Sequence, residues 1–200
     1  METKILYLHG LGSGANSNTA SQIAKHYTND NIKILAPELP IMPKDAFNFI
    51  LDLQKTEQPN IVIGTSLGGF YARYLHGPFK ILVNPAMLPA DIVNAIGYGT
   101  YQFFCPRQSG EKSFAVDEVF VKQLKEIAAC QDDFIDDEML SETFALFGRN
   151  DTVISNYDVF KNIYRENHAK YIDAEHRLTD ENIECDLIPL IEYLRSNYLC

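Results

Sequence analysis

Ile61-Val62-Ile63-Gly64-Thr65-Ser66-Leu67-Gly68-Gly69 runs from an apolar, β-branched segment through a Gly-x-Ser-x-Gly turn into a segment that reads as a helix. A buried strand, a sharp turn and a helix are the parts of a nucleophile elbow, in which the serine hydroxyl stands exposed at the strand's carboxyl end. The glycines have a mechanical reason. Two residues either side of Ser66, a side chain would collide with neighbouring strand or helix backbone, and glycine alone avoids this. At the helix N-terminus, free N–H groups and the helix dipole favour negative charge beside that hydroxyl. The alternative is a Gly-rich turn with an incidental serine, and the apolar strand directly before the turn argues against it.

Outward from this turn, short apolar runs alternate with longer amphipathic stretches, the pattern of βαβ units around a parallel sheet. Six strands are predicted, at Lys4 to Leu8, Lys33 to Ala36, Ile61 to Gly64, Lys80 to Val83, Thr143 to Phe147 and Lys170 to Ile172. They are apolar nearly throughout, as strands buried on both faces are. Helices are predicted near Thr19 to Tyr27, Lys44 to Lys55, Leu67 to Leu75, Val116 to Ala129, Tyr157 to Asn167 and Ile183 to Asn197. The expected architecture is a doubly wound, mostly parallel six-stranded sheet of α/β class in one domain over 1–200. The stretch Asn84 to Ala115 breaks the rhythm with Pro85, Pro89, Gly97, Gly99, Pro106 and Gly110 among Tyr98, Tyr101, Phe103 and Phe104. A long Gly/Pro-punctuated insertion reads either as a functional cap or as a surface excursion packing its aromatics on the core.

Ligands of such sheets bind outside the carboxyl ends of the strands, so functional residues are sought there. The first strand ends in His9-Gly10-Leu11-Gly12, where hydrolases with this elbow supply one oxyanion-hole N–H, the other coming from the residue after the serine. Leu11 and Leu67 are the expected donors, and His9 is expected to hold the loop. Chain order in this fold is serine, acid, histidine. Asp151, in Gly148-Arg149-Asn150-Asp151-Thr152, follows the fifth strand and is the expected acid, whereas Asp132, Asp133, Asp136 and Asp137 lie in a solvated acidic run. His26 falls in an early helix, His76 at a helix end and His168 on the opposite sheet edge. His176, just after the last strand, is therefore the expected base.

A rival pattern exists in Gly10-Leu11-Gly12-Ser13-Gly14-Ala15, which also satisfies the dinucleotide-binding spacing, with Glu38 at the next strand end. An NAD(P)-binding oxidoreductase would leave Ser66, Asp151 and His176 unexplained. A binding protein that keeps the fold without catalysis is the third alternative. Tyr98, Tyr101, Phe103 and Phe104 are the candidate lining of an acyl pocket, and Arg107 and Lys112 are candidates to meet an anionic substrate group.

The chain has 200 residues, 46% of them apolar and 22% charged, the make-up of an ordinary globular protein. Twenty-seven acidic residues against 17 basic ones give a net charge of −10, which disfavours nucleic acid and anionic membrane surfaces as partners. The N-terminus carries no apolar signal segment, and no stretch approaches a membrane span. A soluble, cytoplasmic protein with a small-molecule ester substrate is expected. Cys105, Cys130, Cys185 and Cys200 form no Cys-x-x-Cys pair and read as reduced, mostly structural thiols. No cofactor and no metal are called for.

These residues together resemble the small YqiA-like esterases of the α/β-hydrolase superfamily. The resemblance spans nearly the whole chain through Tyr7-Leu8-His9-Gly10, Gly64 to Ala72, Val83-Asn84-Pro85-Ala86, Gly148 to Val153 and His176. It implies a cytoplasmic carboxylic-ester hydrolase with Ser66, Asp151 and His176 as triad, a short cap, and thioester activity on acyl-CoA. Compared with larger members of the superfamily, the chain starts directly at the strand before the oxyanion loop, without the usual N-terminal strand pair. Where that family carries glycine and asparagine before the histidine and a small residue after it, this chain has Ala174, Glu175 and Arg177. Glu175 and Arg177 could pair with the acidic rim or with substrate.

Overall fold

The computed structural model describes residues 2–28 and 31–199. In chain order its elements are β1 (Thr3–Leu8), α1 (Asn18–His26), β2 (Ile32–Leu35), α2 (Pro43–Glu57), β3 (Ile61–Thr65), α3 (Leu67–Ala72), β4 (Phe79–Val83) and α4 (Asp91–Ile96). There follow β5 (Gly99–Gln102), β6 (Ser113–Val116), α5 (Glu118–Gln131), α6 (Asp137–Glu142), β7 (Thr143–Gly148), α7 (Tyr157–Ile163), β8 (Ala169–Ile172), α8 (Asp180–Asn182) and α9 (Ile188–Tyr198). A π-helical turn, Ile183–Leu187, joins α8 to α9.

Six strands form one parallel sheet in the order β2-β1-β3-β4-β7-β8, as the α/β reading expects. Side-chain alternation divides their apolar residues between two cores. Ile5, Tyr7, Ile61, Ile63, Ile81, Val83, Phe144 and Leu146 pack with Ile23 of α1 and Leu187, Ile191 and Leu194 of the C-terminal helix. Leu6, Leu8, Val62, Leu82, Ala145 and Phe147 pack on the other face with α2, α3, α5 and α7 through Ile50, Phe70, Phe120 and Phe160. Helices on both faces leave the carboxyl ends of β1, β3, β4, β7 and β8 along one open edge. No helix among the described residues is long and apolar enough to cross a membrane.

Three expectations need correction. The helix after Ser66 ends at Ala72 rather than Leu75, because Tyr74 and Leu75 close tighter i to i−3 turns onto Tyr71 and Ala72. α7 stops at Ile163 rather than Asn167, where Tyr164 turns extended and stacks its buried ring on Phe160 at 4.6 Å. Within the insertion, α4 is followed by an antiparallel hairpin, β5 with β6, which the search for doubly buried strands passes over. β6 is buried on one face only, with Phe114 and Val116 inward and Ser113 and Ala115 exposed, and β5 is exposed except for the half-buried Tyr101. Val116, expected to open the next helix, thus belongs to β6, and Asp117 caps α5 by accepting from the Phe120 N–H at 2.8 Å.

The elbow is where packing is tightest. A Cβ on Gly64 would lie 2.5 Å from the Gly68 carbonyl oxygen, and one on Gly68 would overlap the Leu8 carbonyl at the end of β1. Neither partner is a flexible side chain, so neither can give way. Gly68→Ala is accordingly expected to cost about 3 kcal/mol or more, the upper range for overpacking. A urea-unfolding midpoint unchanged from wild type would contradict this packing.

Candidate active site

Ser66 sits between β3 and α3 with φ 54° and ψ −117°, a conformation that side chains rarely adopt and that the surrounding sheet imposes. Its N–H donates to the Val83 carbonyl at 3.0 Å, tying the turn to β4. The hydroxyl lies 3.1 Å from His176 Nε2, and His176 Nδ1 lies 2.8 Å from Asp151 Oδ2. Serine, histidine and acid, 110 and 25 residues apart in sequence, are therefore joined in one hydrogen-bonded line.

The Asp151 side chain is 2% exposed, and its second oxygen accepts from the N–H groups of Val153 (2.7 Å) and Ile154 (3.0 Å). Asp151 thus turns its own loop and also faces the imidazole. Burial works to raise its pKa, but the hydrogen bond from His176 and the two amides outweigh it and hold the carboxyl below its ordinary value. An ionised Asp151 accepts only, so a neutral His176 ring carries its N–H at Nδ1 and turns the lone pair of Nε2 towards the Ser66 hydroxyl.

His9 has the holding role expected of it. It is 5% exposed, its Nε2 accepts from the Leu39 N–H at 3.0 Å, and its Nδ1 donates to the Gly10 carbonyl at 2.9 Å. Gly10 then packs directly on Ser66: a Cβ there would lie 3.2 Å from Ser66 Cβ. This brings the loop carrying Leu11 against the serine from one side, while Leu67 opens α3 on the other, in the first turn where N–H groups have no intrahelical partner.

Asn84, which sequence reasoning noted only within Asn-Pro-Ala, joins the loops that carry the acid and the histidine. It is 1% exposed at the end of β4, with φ 42°. Its Oδ1 accepts from the Gly148 N–H at 2.7 Å, and its Nδ2 donates to the carbonyls of Glu175 (2.9 Å) and His176 (3.1 Å). Asparagine is favoured in this left-handed conformation, and it alone offers a donor and an acceptor from one short planar group. Gly148 completes the fit, since a Cβ there would overlap the Ala174 carbonyl.

A cavity of about 810 Å³ opens over Ser66 and His176. Tyr101 and Phe104 line it together with Ile92, Ile96, Phe114 and Val153; Tyr98 and Phe103 do not. Phe103 instead packs on Phe114 at 5.0 Å beneath the Arg107 guanidinium, and Tyr98 points to solvent, 58% exposed. Arg107 does not line this cavity either. It is buried, donating to the Leu39 carbonyl at 2.7 Å with Nε 3.3 Å from Glu38. Lys112 does not line the cavity.

Glu38, the acidic residue of the dinucleotide pattern, spends its carboxylate on Arg107 and on the N–H groups of Gln108 (2.8 Å) and Ser109 (3.4 Å). Cys105 is half-buried, whereas Cys130 and Cys185 are exposed rather than structural; all three are unpaired, and Cys200 lies outside the described residues.

Two outcomes follow from these contacts. Burial, opposed by the Gly10 carbonyl and reinforced by Arg107, holds His9 below its ordinary value of 6.5. At pH 6.5, where an ordinary imidazole is half protonated, long-range ¹H–¹⁵N NMR should then show a mainly neutral, Nδ1-protonated ring, and a mainly charged imidazolium there would contradict the bonding given above. The unfolded chain binds this proton more tightly, so His9 lowers stability as pH falls below the unfolded value. Asn84→Ala leaves the Gly148 N–H and two carbonyls unpaired and should cost about 2 kcal/mol in urea unfolding. A loss within experimental error would contradict the joining role.

Solved structures with this architecture are numerous and distant in sequence. Est1E from Butyrivibrio proteoclasticus superposes with a TM-score of 0.69 at 13% identity, over 97% of this chain and 87% of that one. A pyrethroid hydrolase from Sphingobium faniae JZ-2 gives 0.65 at 13% identity, covering 98% of each. Mouse alpha/beta hydrolase domain-containing protein 10 gives 0.65 at 12% identity, covering 96% and 90%. At such identities the likeness establishes the α/β-hydrolase fold. Residues 4–193 match the model of the uncharacterised protein family UPF0227, the YqiA-like family, and the chain belongs to that family.

Proposed function

We propose that the protein is a serine hydrolase that cleaves carboxylic esters, with the whole chain acting as one domain and Asn84 to Ala115 as its cap. The observation that supports this best is the line from Ser66 Oγ through His176 to Asp151, with spacings of 3.1 and 2.8 Å, beneath a cavity large enough for a small ester. The structural neighbours are named as esterases or hydrolases, which agrees with ester hydrolysis as the class.

In this mechanism His176 Nε2 takes the Ser66 proton as Oγ attacks the acyl carbon. The Leu11 and Leu67 N–H groups receive the developing oxyanion, and Asp151 keeps the imidazole oriented and stabilises its charged form. His176 then returns the proton to the departing alkoxide. Water, deprotonated by the same imidazole, attacks the acyl-enzyme and releases the acid. Acyl-CoA thioesters undergo the same two steps with a thiolate leaving, and the resemblance to YqiA-like esterases supports them as a second substrate class. The dinucleotide reading loses ground because Glu38 is engaged within the protein, and a purely binding role leaves the aligned serine, histidine and acid without a purpose.

Asp151→Asn and His176→Ala should each lower kcat on a short para-nitrophenyl ester by about ten-thousandfold. Circular dichroism and urea unfolding of the same variants check that the fold is retained. A folded variant turning over near the wild-type rate would remove that residue from the mechanism.

A further inference from the structure

The lining of the cavity above Ser66 is of two kinds. Ile92, Ile96, Tyr101, Phe114, Val153 and Ile154 supply an apolar seat for an acyl chain. Polar residues come from the start of α1 with the loop before it and from the loop before α8: Ser13, Asn16 and Asn18, with Glu175 and Arg177. These segments adjoin, because the side chains of Asn18 and Gln22 tie α1 to the start of α8 by donating to Asp180 at 2.8 and 2.9 Å.

Arg177 is the single lysine or arginine among the residues lining the cavity, directly after His176 in the chain, and is itself exposed. Its guanidinium lies 3.9 Å from the Phe104 ring centroid. Phe104 is itself anchored, its N–H donating to the Gly12 carbonyl at 2.8 Å. Stacking occupies the face of a guanidinium and leaves the N–H groups at its edge free to meet a planar anion in a bidentate contact. No described carboxylate lies within ion-pair distance of Arg177. Two are near in the chain: Glu175, which lines the same cavity, and Asp180, whose oxygens are taken by Asn18 and Gln22.

We propose that Arg177 is a specificity residue for esters whose alcohol portion carries an anionic group, a carboxylate or a phosphate, while the acyl portion is apolar. The proposal rests on the serine-hydrolase reading. It follows from the lining: an acyl chain on the apolar residues leaves the alcohol to the polar ones, where the guanidinium lies against Phe104 with no carboxylate in ion-pair distance among the described residues. Glu175 acts in the opposite sense there, since a like charge on that wall weakens anion binding.

The test uses two ester pairs, each anionic against neutral. The first pair, para-carboxyphenyl butyrate and its methyl ester, places the charge on the alcohol. The second, para-nitrophenyl hydrogen adipate and its methyl ester, places it on the acyl chain. For the first pair, the ratio of kcat/KM, anionic over neutral, should fall about tenfold in Arg177→Gln, the scale of one hydrogen bond to a charged group. The ratio should rise in Glu175→Gln. Comparing ratios between variants cancels the intrinsic reactivity of each ester and any general loss of activity. A ratio that ignores Arg177, or one that changes only for the adipate pair, overturns the proposal. A folded wild-type protein inert towards both neutral esters would instead overturn the hydrolase reading beneath it.

Discussion

β3 and α3 approach one another more closely than any side chain between them would allow, and the geometry around Ser66 descends from that contact. Because Gly64 and Gly68 carry no Cβ, the first turn of α3 rests against the end of β1. Three consequences share this cause. Ser66 is driven to a positive φ, its hydroxyl comes within 3.1 Å of His176 Nε2, and Leu67 opens α3 in the first turn, where N–H groups have no intrahelical partner. The strain is sustained because the neighbouring strands overdetermine the turn, with the Ser66 carbonyl accepting from Gly69, Phe70 and Ala86.

A strained nucleophile is useful only if its partners arrive on separate loops with similar accuracy. Their registration is polar rather than apolar. One buried asparagine at the end of β4 holds the start of the Asp151 loop through Gly148 and the His176 loop through two carbonyls. His9 does the equivalent on the other side, linking Gly10 to Leu39. Both are short, buried and fully bonded, the condition under which polar groups in a protein interior rigidify a site instead of weakening it. Against the net charge of −10, Arg177 is the single lysine or arginine among the residues lining the cavity, a lining it shares with Glu175.

The sheet and the elbow were legible because both write themselves in local pattern. Apolar runs such as Ile61 to Ile63 announce strands covered on both faces, and the glycines either side of Ser66 announce a turn that tolerates nothing larger. Asp151 and His176 were legible through position, each just past a strand end on the correct edge. Other features depend on contacts between distant segments. In the β5–β6 hairpin, β6 alternates buried and exposed residues and β5 is largely exposed, so the hairpin lacks the apolar run that marks the main strands. Tyr98, Phe103 and Phe104 look alike in sequence, yet only Phe104 reaches the cavity. Arg107 reads as a loop cation and proves to be buried against Leu39 and Glu38. Asn84 carried no signal of its joining role, because its three partners lie 64, 91 and 92 residues away.

The central claim is that Ser66 is an activated nucleophile, and covalent labelling tests it without knowledge of the natural substrate. Wild-type protein and Ser66→Ala would be exposed to a fluorophosphonate probe, then compared by intact mass and peptide mapping. The account predicts stoichiometric modification of the wild type, confined to the peptide containing Ser66, and none of the variant. A folded wild-type protein that remains unlabelled, or one labelled equally in both forms, would contradict it.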